Sequence, residues 1–320
     1  MKFEESLKKL HDVLKQKERV LLIGHQKPDG DALGSTSGFY NWLKREDKNA
    51  VLFCKDLPAP QYQYLNGFYA YTNDVKIFET NFDAVIVFDS GDLVYAGVDE
   101  MIKKLPGSPI IINIDHHRTN QFYGNINIVD IEATSTCEVA AEFFETNHVF
   151  IDPAMATSLM TGLLTDTSHF SNAGTTSRGM EIAGRLVGYG ARMNEITKYL
   201  LKNKQLPILK IWGLVLSRLQ KNEKLDLATT FITNADFEKY DVAPTAVEGI
   251  SNFLQGATGN AEAILVLHDK GDGTIKASMR SVSRDVSAIA KLFGGGGHKL
   301  AAGFAVNGKI KETATGFEII

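Results

Sequence analysis

The chain has 320 residues, which exceeds the roughly 250–300 residues that one hydrophobic core usually supports, so two domains are expected. Hydrophobic residues make up 44% and charged residues 22% of the sequence, a globular composition that excludes extended disorder. The net charge of −4 argues against a protein that coats long nucleic acid by electrostatic attraction alone.

The sequence also favours a cytoplasmic protein with no membrane partner. Its longest apolar runs, such as residues 20–23 and 110–112, are far shorter than a membrane span of about 20 residues. The first 18 residues are charged throughout and contain no apolar signal core. Cys54 and Cys137 are the only cysteines, too few for a disulfide scaffold or a thiolate zinc cluster.

The first two thirds of the chain alternate between strand and helix patterns. Apolar residues at spacings of three and four predict an amphipathic helix over the first 18 residues. Short apolar runs predict buried strands at residues 19–24, 50–54, 84–88 and 110–114. Further helices are predicted at residues 32–44, 137–147, 153–165, 176–189 and 192–202. This alternation is typical of a Rossmann-like α/β fold, a parallel sheet covered by helices on both faces.

The pattern changes near residues 203–207, where we place a domain boundary between residues 204 and 205. A helix is predicted at residues 208–220, after a proline, followed by strands at 227–233, 263–268 and 274–281. A helix at residues 285–292, a glycine run at 294–297 and a strand at 303–306 complete the prediction. The second domain, residues 205–320, is therefore expected to be a smaller α/β unit with a mixed sheet.

The first polar motif follows the first predicted strand, where ligands of open α/β sheets bind. It places a histidine and two carboxylates within seven residues, namely His25, Asp29 and Asp31. The compact turn that Pro28 and Gly30 favour would let these side chains converge on a metal ion. The alternative is a polar turn in which Asp31 caps the following helix.

Three more motifs place polar side chains at the ends of predicted elements. Asp89 follows the strand at 84–88, and His116 and His117 follow the strand at 110–114. Asp166 lies at the C-terminus of a predicted helix, where the negative end of the helix dipole disfavours a carboxylate unless a cation is near. Each aspartate taken alone is also compatible with an ordinary turn.

Together the motifs predict a metal site. Its candidate ligands are His25, Asp29, Asp31, Asp89, His116 and Asp166. Two divalent cations would neutralise the four carboxylates, and oxygen and imidazole ligands favour Mn²⁺, Mg²⁺ or Co²⁺ over structural zinc. Paired cations of this kind activate water and stabilise the reacting oxygens in phosphoester hydrolysis.

A last motif, the glycine run at 294–297, is followed by His298 and Lys299. Consecutive glycines allow close backbone approach and expose N–H groups to an anion. Arg280 and Arg284 lie upstream and add positive charge. The motif therefore predicts a phosphate contact, with a flexible loop as the alternative.

Five segments of the chain together resemble the DHH phosphoesterases that carry a DHHA1 C-terminal domain. They are HQKPDGDALGS (25–35), FDSGD (88–92), IDHHRTN (114–120), TGLLTDTSHF (161–170) and FGGGGHKLAAGF (293–304). The segments occur in the family's order and span nearly the whole chain. The resemblance implies a metal-binding catalytic DHH domain at residues 1–204 and a substrate-binding DHHA1 domain at residues 205–320.

Within that family the chain looks like the stand-alone members that degrade nanoRNA, the bifunctional oligoribonucleases and 3′-phosphoadenosine 5′-phosphate phosphatases. This implies a metal-dependent hydrolase that cuts short oligoribonucleotides to mononucleotides and converts 3′-phosphoadenosine 5′-phosphate to AMP. The expected partners are these substrates or dinucleotides, and a homodimer is left open. The expected cofactor is a pair of divalent metal ions, with Mn²⁺ favoured over Mg²⁺ and Co²⁺.

The resemblance also implies roles for individual residues. His25 and Asp29 would hold one metal ion, and Asp31, His116 and Asp166 would hold the other. Asp89 would bridge both ions, and His117 would contact the phosphate or protonate the leaving oxygen. Asp115 would orient a ligand histidine. The expected substrate contacts are Ser90, Arg118, Arg280, Gly295, Gly296, Gly297 and His298.

One position departs from the expected pattern, because a glycine is expected near Ser168. His169 beside it is expected either to touch substrate or to pack.

Four alternative functions share parts of this pattern. Stand-alone cyclic di-AMP or linear dinucleotide phosphodiesterases have the same core. Manganese inorganic pyrophosphatases share the metal motifs but have a different C-terminal domain without GGGGH. Long single-strand exonucleases need additional domains. A catalytically silent nucleotide sensor would not require the intact set of ligand residues.

Overall fold

The computed structural model describes residues 3–172, 174–200, 205–247, 249–257, 261–313 and 316–320, without the side chains of residues 252, 256, 257 and 298. The predicted domain boundary, the end of the helix predicted at 192–202 and the His298 side chain therefore lie outside the described residues. The chain divides into two compact units, Met1–Asn203 and Lys204–Ile320.

The N-terminal unit contains a parallel sheet flanked by helices. Its described helices are α1 (Phe3–Lys15), α2 (Gly30–Arg45), α3 (Leu93–Ala96), α4 (Asp99–Ile102), α5 (Thr136–Thr146), α6 (Pro153–Asp166), α7 (Ser177–Gly188) and α8 (Met193–Leu200). Its described strands are β1 (Arg19–Ile23), β2 (Asn49–Phe53), β3 (Tyr71–Thr72), β4 (Ala84–Phe88), β5 (Ile110–Asp115) and β6 (Ile126–Val129). All neighbours pair in parallel, in the order β3-β2-β1-β4-β5-β6, so the predicted fold class is confirmed.

The central strands of this sheet are buried on both faces. In β1, Val20 and Leu22 belong to the hydrophobic cluster on the α1, α2 and α5 side, and Leu21 and Ile23 belong to the cluster on the α3 and α4 side. All four side chains are fully buried. Burial on both faces is why these strands read as uninterrupted apolar runs in the sequence.

A close approach of α2 and α6 positions two of the predicted ligands. A Cβ atom on Gly162 would lie 2.5 Å from Asp31 Oδ1, and one on Gly34 would overlap the Ser158 carbonyl oxygen. Only glycine fits at such distances, so the two glycines allow the helices to touch. The contact brings Asp31, near the start of α2, towards the C-terminal turn of α6, which ends at Asp166.

The C-terminal unit contains a mixed sheet. Its described helices are α9 (Leu206–Ser217), α10 (Asn234–Tyr240), α11 (Ile250–Ala257) and α12 (Val286–Leu292). Its described strands are β7 (Gln220–Asn222), β8 (Leu227–Ile232), β9 (Ala263–Asp269), β10 (Thr274–Ser281), β11 (Gly296–His298), β12 (Ala301–Asn307), β13 (Ile310–Thr313) and β14 (Gly316–Ile319). The sheet order is β11-β12-β10-β9-β8-β7, in which only β8 and β9 pair in parallel, and β13 and β14 form a separate hairpin. The predicted mixed sheet is thus confirmed.

Two details of the C-terminal unit differ from the predictions. The helix predicted at 208–220 spans Leu206–Ser217, and Gln220 already belongs to β7. Pro207 therefore lies inside the first turn of the helix, where the missing N–H of proline costs no hydrogen bond. The glycine run is not an open loop throughout, because Gly296–His298 pairs with β12 as strand β11.

Helices in the described part of the chain are all too short or too polar to cross a membrane.

The glycine run has a structural role in this unit. The Gly294 N–H donates to the Lys291 carbonyl oxygen at 3.1 Å and the Gly295 N–H donates to the Ala290 carbonyl oxygen at 2.9 Å, so both cap the end of α12. A Cβ atom on Gly297 would lie 2.5 Å from the Ala301 carbonyl oxygen. These two N–H groups are therefore already bonded, which corrects the expectation that the whole run offers N–H groups to an anion.

Candidate metal centre

Three motifs meet at the carboxyl edge of the parallel sheet. His25 lies two residues after β1, Asp89 directly follows β4, and Asp115 is the last residue of β5. Because β4 pairs in parallel with both β1 and β5, the ends of the three strands lie side by side. The structure therefore brings the polar residues of the three motifs together.

The first cluster consists of His25, Asp29 and Asp89. His25 Nε2 lies 3.5 Å from Asp89 Oδ2 and 3.7 Å from Asp29 Oδ1. His25 Nδ1 lies 2.7 Å from the Gln26 carbonyl oxygen, and since a carbonyl only accepts, Nδ1 carries the proton. Nε2 therefore faces the two carboxylates, and once it loses its proton it offers the lone pair that a metal ion requires.

The second cluster consists of His116, Asp31 and Asp166, with Asp89 beside it. His116 Nε2 lies 3.5 Å from Asp166 Oδ2, 3.7 Å from Asp89 Oδ1 and 3.9 Å from Asp31 Oδ2. His116 Nδ1 faces the Ala133 carbonyl oxygen at 3.3 Å. Within the described residues, the buried His116 Nε2 has no hydrogen-bond partner, although buried polar atoms are normally satisfied.

Asp31 is fixed by the N-terminus of α5. Its Oδ2 accepts from the Thr136 N–H at 2.6 Å and its Oδ1 accepts from the Cys137 N–H at 2.9 Å. The helix dipole stabilises a carboxylate at this position. Asp29, and not Asp31, caps α2, because Asp29 has extended backbone angles and its Oδ1 accepts from the N–H groups of Asp31 and Ala32. The alternative role considered for Asp31 is therefore wrong.

Asp89 lies in a tight turn between β4 and α3. Its φ is 56°, in the left-handed region that residues other than glycine rarely adopt. Such conformations are retained where the surrounding structure enforces them, often at functional sites. The buried side chain accepts a hydrogen bond from Thr136 Oγ1 at its Oδ1, at 2.9 Å. Asp89 is the residue that the two clusters share.

Asp115 holds the ring of His117. Its Oδ1 accepts from His117 Nδ1 at 2.7 Å and from the His116 N–H at 2.8 Å, and its Oδ2 accepts from Asn120 Nδ2 at 2.5 Å. The expectation that Asp115 orients a ligand histidine is corrected, because the His116 ring faces Ala133 instead. Nδ1 of His117 is bonded to a buried carboxylate, so its Nε2 is the nitrogen left for a substrate.

A segment that sequence reasoning missed supports three of the clustered residues. Residues 133–137 contact His116 through the Ala133 carbonyl, Asp31 through two N–H groups and Asp89 through Thr136. The segment is held by the fully buried Glu138, which accepts from the Thr134 N–H at 2.9 Å and forms an ion pair with Arg178 of α7. The pattern of serine followed three residues later by glutamate, at 135–138, is a helix-start signal that could have drawn attention to it.

The contact of Thr136 with Asp89 predicts an effect of removing one hydroxyl. We expect Thr136→Val to lower Mn²⁺ affinity and kcat by roughly 10- to 100-fold, the usual loss when a group that orients a metal ligand is removed. Calorimetric Mn²⁺ titration and turnover measure both. Thr230→Val is the matched control, since Thr230 is also buried and donates to the Val215 carbonyl oxygen at 2.6 Å in the other unit. Equal losses in the two variants would contradict the prediction.

The pKa shifts in the clusters reflect crowded carboxylates. Burial, together with the charges of Asp89 and Asp166, raises the pKa of Asp31 well above its usual range. Burial also raises the pKa of Asp166 to about 7, against the opposing effect of His116. Burial alone would lower the pKa of His25, but Asp29 and Asp89 outweigh it and raise that pKa to about 11. Positive charge placed among the carboxylates would therefore stabilise their ionised forms.

The donor set fits divalent cations. In each of three groups, the ligand atoms all lie within 4.8 Å of one another. The first group is His25, Asp29 and Asp89, the second is Asp31, His116 and Asp166, and the third is Asp89, His116 and His117. Carboxylate oxygens and imidazole nitrogens suit divalent cations such as Mn²⁺, and a cation would satisfy the otherwise unpartnered His116 Nε2. The first two groups contain the residues of the two ligand sets that the family resemblance implies, with Asp89 in the first group.

The side chains predicted to contact substrate differ in burial and in the bonds they already make. Ser90 is fully buried and its hydroxyl donates to the Asp92 carbonyl oxygen at 2.7 Å, so a contact by this side chain would require that bond to break. Arg118 is exposed and pairs with Glu132 at 2.8 Å. Arg280 donates from Nη1 to the Met279 carbonyl oxygen at 2.9 Å, and burial lowers its pKa. All of these substrate roles stay predictions.

The turn after Asp166 explains the expected glycine. Ser168, His169 and Phe170 have φ angles of 49°, 64° and 60°, all in the left-handed region where glycine is favoured. His169 is exposed.

Comparison with known families identifies the chain. The sequence model described as the DHH family, N-terminal domain, matches residues 19–163, and that of the DHHA1 domain matches residues 226–315. The chain belongs to the DHH/DHHA1 family of phosphoesterases. It is therefore a hydrolase that acts on phosphoester bonds.

Relatives with curated names agree with this family. A protein of Thermus thermophilus named bifunctional oligoribonuclease and PAP phosphatase NrnA is 29% identical over 313 residues, which cover 96% of this chain and 90% of the relative. The cyclic-di-AMP phosphodiesterase PdeA of Listeria monocytogenes is 26% identical over 313 residues, which cover 90% of this chain but only 45% of that protein. The crystal structure of an exopolyphosphatase-related protein from Bacteroides fragilis shows the same fold, with a TM-score of 0.84 at 24% identity over 94% of this chain and 90% of the other.

Proposed function

We propose that this DHH/DHHA1 phosphoesterase hydrolyses short oligoribonucleotides to mononucleotides and dephosphorylates 3′-phosphoadenosine 5′-phosphate to AMP. The observation that carries the proposal is Asp89, a single buried carboxylate placed between His25 and His116. This arrangement suits two cations that share one ligand. The similarity to the Thermus thermophilus relative over nearly the full length of both chains supports the choice of substrates.

The metal ligands are proposed from the two clusters. His25 and Asp29 would hold one divalent cation, Asp31, His116 and Asp166 would hold the other, and Asp89 would be shared by both. When bound, two such ions, preferably Mn²⁺, would activate water and stabilise charge on the phosphoryl oxygens. Asp31 keeps both oxygens bonded to the start of α5, so its carboxylate is held in one orientation.

His117 is proposed to act on the leaving group. Its ring is fixed by Asp115 through Nδ1, and its side chain remains 40% exposed. The outward Nε2 can donate a hydrogen bond to a phosphate oxygen or a proton to the leaving oxygen. The adjacent His116 faces the clusters instead, so the two neighbouring histidines have separate tasks.

The DHHA1 domain is proposed to bind the part of the nucleotide remote from the reacting phosphorus. Arg280 on β10 and the residues 295–298 that lead into and form β11 are the proposed contacts to a second phosphate or sugar. A second phosphate is what a 5′-phosphorylated dinucleotide and 3′-phosphoadenosine 5′-phosphate have in common. The same contacts would therefore serve both activities.

Measuring kcat/KM on RNA of different lengths tests the proposal. We expect kcat/KM on single-stranded RNA to be higher for two and five nucleotides than for about 25. Long strands normally need an extended basic groove with stacking platforms, whereas the net charge of this chain is −4. Rates are measured with Mn²⁺ on the three lengths, on 3′-phosphoadenosine 5′-phosphate and on cyclic di-AMP.

The same panel decides between the proposal and its alternative. Efficiency that stays equal or rises with length would contradict the preference for short substrates. A clear preference for cyclic di-AMP would favour a phosphodiesterase like the Listeria monocytogenes relative.

A further inference from the structure

Tyr95 is an exposed aromatic residue at the edge of the candidate metal centre. It lies on α3, the short helix that follows Asp89 and begins after Asp92, whose Oδ1 accepts from the Tyr95 N–H at 2.6 Å. The ring contacts His25, with centroids 5.0 Å apart and planes tilted by 37°. Half of the side chain, 50%, remains exposed.

The helix that carries Tyr95 is anchored from its other side. Ala96 is fully buried and Leu93 packs against the hydrophobic cluster on that face of the sheet. Gly97 ends the helix in the left-handed conformation, with φ of 74°. The inward residues and the cap at Asp92 thus fix α3, while Val94 and Tyr95 point outward.

Polar and cationic groups lie beside the same helix. A Cβ atom on Gly97 would lie 2.7 Å from Lys55 Cδ and 3.4 Å from Gln26 Oε1, so both side chains border the end of α3. Lys27 and Lys55 are exposed, and the Lys27 N–H donates to Asp56 Oδ2 at 2.9 Å, which ties their two loops together. A ligand for this surface would combine an aromatic face with negative charge, as a nucleotide does.

Two other exposed aromatic residues have different neighbours. Tyr69 is 85% exposed and contacts Phe68, and Phe150 is 72% exposed and lies under Arg45. Tyr95 contacts a proposed metal ligand, so a ring stacked on it would belong to a nucleotide whose phosphate lies at the centre.

We propose that Tyr95 is a stacking platform for one base of the substrate, next to the phosphate that is hydrolysed. The inference rests on the proposed function, since it requires a nucleotide substrate. Stacking of a base on an aromatic side chain tolerates every base, because each has a π face. The platform would therefore select nucleotides over other phosphoesters without selecting sequence.

The test uses three substitutions at one position and three matched substrates. Tyr95→Phe keeps the ring, Tyr95→Leu keeps apolar bulk without a ring, and Tyr95→Ala removes both. The substrates are 5′-phosphorylated diadenylate and two analogues in which a tetrahydrofuran abasic unit replaces the first or the second nucleoside. Tyr69→Ala is the control for loss of an exposed tyrosine, because the Tyr69 ring contacts Phe68 whereas the Tyr95 ring contacts His25.

We expect Tyr95→Ala and Tyr95→Leu to raise KM for diadenylate by roughly 5- to 150-fold, the range found for loss of one base–aromatic stack. Tyr95→Phe should stay near the wild-type KM. On the one analogue that lacks the stacked base, wild type and Tyr95→Ala should have the same KM, which also identifies the base. Tyr69→Ala should match wild type throughout.

Three results would overturn the platform. An equal loss on all three substrates would mean that Tyr95 only supports His25, and an unchanged KM for diadenylate would mean that no base stacks there. Wild-type protein that hydrolyses none of the three with Mn²⁺ would overturn the proposed function and the platform with it. Active wild type with an unaffected Tyr95→Ala variant would overturn the platform alone.

Discussion

Replacing Asp89 by asparagine is expected to lower kcat by about a thousandfold or more, since loss of the proposed metal bridge would remove several kcal/mol of transition-state stabilisation. The Asp89 oxygens lie 3.5 Å from His25 Nε2 and 3.7 Å from His116 Nε2, so the carboxylate faces both clusters. Asparagine keeps the shape and an oxygen for the Thr136 hydroxyl but removes the charge. Turnover on diadenylate and calorimetric Mn²⁺ titration should both show the loss.

Asp83→Asn is the matched control for this variant. Asp83 precedes the same strand, β4, at the opposite edge of the sheet, where its Oδ2 accepts from the N–H groups of Glu18 and Arg19. These bonds hold the pKa of its carboxyl below the usual value. We expect wild-type turnover and Mn²⁺ binding for Asp83→Asn. Near wild-type turnover in Asp89→Asn, or full wild-type activity in excess chelator, would refute the two-metal proposal.

The bounds of the central strands of the N-terminal sheet could be predicted closely because these strands are buried on both faces of the sheet. The apolar run at 84–88 coincides with β4, and the run at 110–114 ends one residue before β5 does. Strands buried on both faces have no polar interruptions, so their ends stand out. The strand Tyr71–Thr72 and the helix Leu93–Ala96 were missed, since two to four residues cannot show a period.

The residues that meet at the candidate metal centre could be predicted, but their individual bonds could not. Neighbouring parallel strands end at one edge, which is enough to bring His25, Asp89 and His116 together. Whether Asp115 turns to one histidine ring or the next depends on side-chain rotation; the resemblance implied a ligand histidine, whereas Asp115 holds the ring of His117. Thr136 lies 47 residues from Asp89, and no local pattern links such positions.

The glycine run shows how one pattern can have two physical causes. Glycine is needed where an N–H group must face an anion, and equally where two backbones nearly touch. Gly297 satisfies the second condition against Ala301, and Gly294 and Gly295 donate to the end of α12. Sequence alone could not separate these causes, because both require the same residue type.

Replacing His117 by asparagine is expected to lower kcat on oligoribonucleotides by roughly 10²- to 10⁴-fold, the usual contribution of a positioned general acid. Asp115 fixes the ring at Nδ1, with 2.7 Å between the atoms, and leaves Nε2 for the leaving oxygen.

Arg280→Ala should mainly raise KM instead, because Arg280 belongs to the unit without metal clusters among its described residues. An interaction that is equally strong in the ground and transition states affects KM, and its removal leaves kcat unchanged.

The leaving group separates protonation from simple phosphate contact. The ribose oxygen would leave as an alkoxide, which is a strong base, so its departure needs a proton. 4-Nitrophenolate is a weak base and leaves without one. If His117 is the acid, His117→Asn should lose far less kcat on a 4-nitrophenyl ester of a nucleotide than on diadenylate. Equal losses on both would show that His117 only holds the phosphate. A loss in kcat alone for Arg280→Ala, with KM unchanged, would show that the two units do not divide chemistry and binding in this way.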